Sequence, residues 1–165
     1  MDFGSFWSDV VATIVGGSVL AFLFFLLREK VFRFEDLDGS WVYEQKTITS
    51  AYNPYKGMTV RFIVLLARDG NRLYGSAEKV CDISADGKER EYVGEHRARA
   101  EISGHIEKRY FSRDRISIHI TEEGERRTSS TFQVLECISQ NHLEGRFSST
   151  IANQIGVVKW TRRSS

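Results

Sequence analysis

The segment RISIHIT, residues 115–121, sets Ile116, Ile118 and Ile120 on one side of an extended chain and Arg115, Ser117, His119 and Thr121 on the other. A period of two belongs to a strand with one dry and one wet face, because successive side chains of a strand point to opposite sides of the sheet. The same alternation recurs along the chain. It predicts strands near 39–49, 58–68, 72–82, 96–110, 115–122, 126–137, 142–150 and 156–163. Between them stand Asp69-Gly70, Asp86-Gly87, Glu123-Gly124, Gln140-Asn141 and Asn153-Gln154, pairs suited to tight turns. Eight short antiparallel strands joined in this way predict an all-β, up-and-down barrel, closed so that no edge is left to recruit another chain.

Parity assigns an interior that includes Trp41, Tyr43, Phe62, Val64, Leu73, Ile102, Ile118, Phe132, Val134, Phe147, Val158 and Trp160. Three segments echo one another: LYGSAEK (73–79), ISGHIEK (102–108) and LEGRFSS (143–149). Each puts a glycine (Gly75, Gly104, Gly145) on the inward face, which suits a strand that must coil hard. GSW at 39–41 and WTRR at 160–163 resemble the ends of lipocalin-type barrels, in which a Trp plugs one end under a late Arg. That likeness implies a stack of Trp41 with Arg162 or Arg163. The interior Arg-x-Tyr pair of a fatty-acid carrier is not found on the last strand.

Ahead of the strands lies VVATIVGGSVLAFLFFLL, residues 10–27, with no charge. As a helix it spans about 27 Å, close to the hydrocarbon thickness of a bilayer. Phe6 and Trp7 precede it where an aromatic belt would lie. An export signal would carry positive charge before the apolar run and a small-residue cleavage site after it, and the order here is acidic Asp2 and Asp9 before, Arg28, Lys30 and Arg33 after. The reading is one uncleaved transmembrane helix with the N-terminus outside and the remainder in the cytoplasm, at the cell inner membrane. Residues 1–30 then form the anchor and its flanks, 31–38 a charged joint, and 39–165 the barrel domain. Thr13, Gly17 and Ala21 repeat every four residues, a stripe that lets helices approach closely in lipid and predicts self-association.

All 23 Lys and Arg and 20 of the 22 acids follow residue 27, so that part carries about +3, too mild to announce DNA or RNA binding. Cys81 and Cys137 lack metal-ligand spacing, and a cytoplasmic setting keeps them as thiols. There is no P-loop, dinucleotide fingerprint, nucleophile elbow or zinc motif. His105 and His119 are expected nearly opposite on an outer face, without a third metal ligand. Glu101, Glu107 and Glu122 are expected on wet faces, unlike a catalytic acid. The chain therefore reads as a binding protein, not an enzyme, with no cofactor and no metal.

Strand order sorts the two ends of the barrel. The turns near 69–70, 111–114 and 139–141 and the C-terminus share the end where the first strand begins. That end gathers Arg68, Arg72, Arg109, Arg113, Arg115, Arg162 and Arg163, a set suited to anionic membrane lipid. The other end receives the longest loops, 50–57 and 83–95. These supply Tyr52, Tyr55, Lys56 and Tyr92, with Arg126 and Arg127 on a neighbouring turn. Rings stack on bases and cations meet phosphates, so this end is a candidate site for a base-and-phosphate ligand. A ligand held between barrels, or on an outer wall near Arg97 and Arg99, is the alternative.

A membrane segment followed by a barrel that opens with LDGSW (37–41) and closes with GVVKW (156–160) resembles the membrane-anchored β-barrel effectors of bacterial cyclic-oligonucleotide antiphage signalling (CBASS). The resemblance implies that the barrel recognises a cyclic dinucleotide, that binding drives homo-oligomerisation, and that the assembled membrane segments disrupt the inner membrane. It implies ligand residues among Tyr52, Tyr55, Lys56, Tyr92, Arg126 and Arg127, with Val10–Leu27 as the lethal part. The family pattern has two membrane segments, and this chain shows one. Two other readings stay open: a lipocalin-like barrel for a hydrophobic ligand, which needs an interior cavity of about 300 Å³ or more, and a structural subunit of an envelope complex.

Overall fold

The computed structural model describes residues 3–31, 36–94, 97–109, 112–123 and 128–163. They form two compact units, Met1–Asp36 and Leu37–Ser165. The first holds helix α1 (Phe3–Val31), in which Phe6–Leu27 is long and apolar enough to cross a membrane and has no buried residue. Within it Thr13 Oγ1 donates to the Asp9 carbonyl at 2.8 Å, so that hydroxyl needs no partner outside its own helix. The second unit is an antiparallel barrel of eight strands: β1 (Gly39–Thr49), β2 (Thr59–Asp69), β3 (Arg72–Ile83), β5 (Arg99–Glu107), β6 (Arg115–Glu123), β7 (Thr128–Ser139), β8 (His142–Ser149) and β9 (Gln154–Arg162). Each pairs with the next, and β9 pairs with β1 to close the ring. A ninth strand, β4 (Glu89–Glu91), adds to β3 alongside Cys81–Ile83 and lies in the segment expected to be a plain loop.

Closure rests on an aromatic column. Tyr43 of β1 lies opposite Trp160 of β9 and Phe62 of β2, with ring centroids 4.8 and 4.7 Å away, both stacked. Trp41 follows edge-on to Trp160 at 6.4 Å. All four rings are buried. Each such ring removes some 150–250 Å² from water, and burying one is worth about 1.5–3 kcal/mol. At the end where β1 begins, the Trp41 indole N–H donates to the Leu37 carbonyl at 2.9 Å, and Leu37 is itself buried. The guanidinium over the Trp41 ring is that of Arg162, at 4.9 Å, and it also donates to the Asp38 carbonyl at 3.0 Å. This is the closed end of the barrel.

One strand faces the opposite way from its expected parity. Phe132 and Val134 were expected inside, and both are exposed; Ser129, Gln133 and Leu135 point inward instead. Gln133 Oε1 accepts the Trp160 indole N–H at 2.8 Å. A buried indole N–H without an acceptor would be costly, and this orientation of β7 supplies one. Phe132 lies outside against His119, rings stacked at 4.4 Å. His105 and His119 share the outer face but are not opposite: His119 pairs with Ser103, and His105 with Ser117.

The echoed glycines fall where the backbone of an adjacent strand leaves no room for a side chain. A Cβ on Gly75 would strike the Leu65 carbonyl oxygen of the adjacent strand, and one on Gly104 would come 2.5 Å from that of Ser117. At Gly145 it would meet the Val134 carbonyl oxygen and lie 2.8 Å from Leu135 Cα. Backbone cannot yield as a flexible side chain can. Gly145→Ala is therefore expected to lower barrel stability by about 1–3 kcal/mol, read as a lower urea midpoint with an unchanged slope.

Candidate ligand-binding mouth of the barrel

The interior divides along its axis. Toward the closed end it is filled by Trp41, Leu66, Leu73, Leu135, Leu143 and Trp160. On β1 the inward series then runs Trp41, Tyr43, Gln45, Thr47, and on β9 it runs back from Trp160 to Gln154, so the same strands turn polar toward the other end. A cavity of about 240 Å³ opens there. Tyr43 and Phe62 of the aromatic column line it, with Ile120 and Ile151. Its polar groups come from Gln45, Lys79, Glu122, Ser129, Thr131, Ser149 and Gln154.

Most of these polar groups have partners within the protein. Thr47 Oγ1 donates to Gln154 Oε1 at 3.3 Å, Thr131 Oγ1 to Ser149 Oγ at 3.0 Å, and Ser149 Oγ to the Ser130 carbonyl at 3.3 Å. Lys79 Nζ lies 2.8 Å from Asp82 Oδ1. Gln45 Oε1 is buried without a hydrogen-bond partner. Burial, and after it the negative charge of Glu122, raises the Tyr43 phenol well above its ordinary pKa, so Tyr43 stays neutral.

The rim is tied together by backbone. The Ala51 N–H donates to the Ala152 carbonyl at 2.7 Å, joining the β1–β2 loop to the β8–β9 loop. Ala152 and Asn153 hold φ of 49° and 47°, a region that costs a side chain energy and is uncommon outside glycine. A 3-10 turn, Asn53–Tyr55, sets the Tyr52 and Tyr55 rings 5.2 Å apart, edge to face. Tyr55 lines the cavity, whereas Tyr52 and Lys56 are exposed beside it. On the β3 side a bulge breaks the register between Arg61 and Phe62, with Phe62 opposite Lys79. The Tyr92 hydroxyl donates to Asp82 Oδ2 at 2.7 Å, and burial together with that bond pushes its pKa up to about 12. Lys79 Nζ and the Arg90 guanidinium lie 5.1 and 5.2 Å from the Tyr92 ring.

Of the residues expected at this end, Tyr52, Tyr55 and Lys56 come together on one loop, and Tyr92 reaches the rim through Asp82 and Lys79. Arg126 and Arg127 lie outside the described residues. Sequence reasoning passed over Gln45, Gln154, Ser129 and Ser149, although the parity set by Trp41 and Tyr43 places Gln45 inside. Glu122 was expected on a wet face, and it lines the cavity. The wall alternative near Arg97 and Arg99 finds both guanidiniums 3.3 Å from Glu78. Among the described residues no His, Cys, Asp and Glu cluster has metal-site geometry.

No family model and no curated protein matches the chain. Solved structures do. A redesigned beta barrel, mFAP1, bound to DFHBI superposes with a TM-score of 0.52 over 77% of this chain and 94% of its own, at 11% identity. EF1p2_mFAP2b bound to DFHBI gives 0.53 over 78% and 94%, also at 11% identity. A further redesigned barrel, b11L5F_LGL, gives 0.52 over 78% and 92%. At such identities the likeness is one of fold.

Cys81 tests the geometry of the rim. It is buried beside β4, Sγ donates to Glu89 Oε1 at 3.0 Å, and burial, then the Glu89 bond, raises its pKa to about 11. The folded state thus favours the neutral thiol, and the stability this gives is present below about pH 8.5 and lost as pH rises toward 11. At pH 8 a thiol alkylating reagent should modify half-exposed Cys137 and leave Cys81 untouched until the barrel unfolds.

Proposed function

We propose that the chain is a membrane-anchored receptor that takes a cyclic dinucleotide at the open mouth of its barrel. Bound ligand bridges barrels, and the bridging drives association of the helices in the inner membrane and its disruption. The observation that carries this reading is the mouth itself: a polar, aromatic-floored cavity inside a closed barrel, with a tyrosine pair and a lysine at its rim. Two of the structural neighbours, mFAP1 and EF1p2_mFAP2b, are bound to the small molecule DFHBI.

Size and lining favour this ligand class over a lipid. At about 240 Å³ the cavity is smaller than the 300–1,000 Å³ typical of drug-sized ligands. A dinucleotide can seat one base and must leave its other half outside, where a second barrel can take it. A hydrocarbon cargo would cover the buried Gln45 Oε1 without giving it a partner. The outer wall supports association as well, since Phe132, Val134 and Ile138 of β7 and Ile155 and Val157 of β9 are exposed apolar residues on the two strands that flank β8. In the membrane, the Thr13, Gly17 and Ala21 stripe offers a close-packing face, and the positive charges of Arg28, Lys30 and Arg33 after the apolar run favour a cytoplasmic barrel under the positive-inside rule. The proposed role is binding, with no catalytic step.

With full-length chain in detergent micelles, a matching cyclic dinucleotide at 100 times its Kd should stabilise the barrel by about 2.7 kcal/mol and move the protein to a larger species on sizing. Tyr55→Ala should abolish the thermal shift. Ile155→Glu should keep the thermal shift and lose the change in size. Absence of both responses across a panel of cyclic dinucleotides would refute the reading.

A further inference from the structure

Gln45 makes an exception to the hydrogen-bond economy of the cavity. The residue is 8% exposed, it lines the cavity, and its Oε1 has no partner, while the Thr47, Thr131 and Ser149 hydroxyls and the Lys79 ammonium are held by Gln154, Ser149, Ser130 and Asp82. Folded proteins seldom leave a buried acceptor unpaired, and such atoms tend to mark a functional demand. Gln45 stands on β1 and Glu122 on β6, four strands away in either direction around an eight-stranded ring, so the two face one another across the lumen. Glu122 brings to the cavity wall a carboxylate, a group that accepts at up to four lone-pair sites. The cavity therefore presents acceptors from both sides above a floor of stacked rings, Tyr43 and Phe62.

We propose that this cavity selects guanine, with the Glu122 carboxylate and Gln45 Oε1 accepting the N–H donors of its Watson–Crick edge. The proposal rests on the reading of the site as a cyclic-dinucleotide receptor. Guanine carries an N1–H beside a two-hydrogen amine on C2. The N1–H and one amine hydrogen run parallel and match the two oxygens of a carboxylate, and the other amine hydrogen remains for Gln45. Adenine offers one amine and an acceptor at N1, which would oppose a carboxylate oxygen. Cytosine likewise offers N3 as an acceptor. Uracil has one N–H between two carbonyl oxygens, which would face the acceptors of the wall. Mispairing of this kind leaves buried polar groups unsatisfied on both partners, which is how a polar site discriminates strongly.

The same geometry separates stability from binding at one residue. Gln45→Leu removes an unpaired buried acceptor, so the melting temperature of the full chain in detergent should hold or rise. Its affinity for a guanine-containing ligand should fall at least 10-fold, and Gln45→Glu, which keeps an acceptor, should restore it. On the unaltered protein, cyclic di-GMP and mixed cyclic GMP–AMP should bind at least 10-fold more tightly than cyclic di-AMP or cyclic di-UMP. Equal affinity for cyclic di-AMP and cyclic di-GMP, or unchanged binding by a folded Gln45→Leu variant, would overturn guanine selection and leave the receptor reading intact. GMP titrated alongside separates the two ideas. Binding of GMP in preference to AMP, with no cyclic dinucleotide bound, would uphold guanine selection and end the receptor reading. Failure of every nucleotide would end both.

Discussion

The stack of Tyr43 on Trp160 holds the first strand to the last. Without that seam the sheet would keep two open edges, each a row of unpaired amides and carbonyls. With it, every strand of the ring has two neighbours, and the aromatic column it belongs to fills the barrel's middle. Tyr43 and Phe62 are part of this column and also form the floor of the cavity. Barrel closure and the depth of the cavity are therefore set by the same rings.

From that floor the two halves of the interior diverge. The closed half is apolar except where Gln133 meets the indole of Trp160, and Leu37, Trp41 and Arg162 cap it. The open half gives up apolar packing for amides, hydroxyls and charges, one of which, Gln45 Oε1, is left unpaired. Proteins commonly spend stability at the site where they bind. The glycines at 75, 104 and 145 lie in the closed half, opposite Leu66, Leu73 and Leu135, where a Cβ would strike neighbouring backbone.

Most of this architecture is legible in the sequence, for a physical reason: strands with one wet face write their boundaries in alternating residues and turn pairs. The first strand runs from Gly39 to Thr49 as expected, and the inward glycines lie where the echo puts them. Two features escape that logic. Strand β4 is Glu89-Arg90-Glu91, three charged residues with no apolar alternation to announce it. Strand β7 offers apolar residues to both sides, and its facing is decided by a partner far along the chain, the indole of Trp160, which needs Gln133. Of the cavity's mouth, the loop carrying Tyr52, Tyr55 and Lys56 was legible from its composition. Its deeper part was missed because polar residues on an inward face, Gln45 above all, read as breaks in a core pattern when they are the lining of a cavity.

The account turns on the claim that ligand enters the mouth of the barrel. Backbone amide chemical shifts of the isotopically labelled protein, followed during titration with cyclic di-GMP, test it most directly. The account predicts that the perturbed amides cluster at 43–47, 52–60, 120–122 and 149–156. Perturbations confined to the outer wall of β7–β9, or the absence of any at saturating ligand, would contradict it.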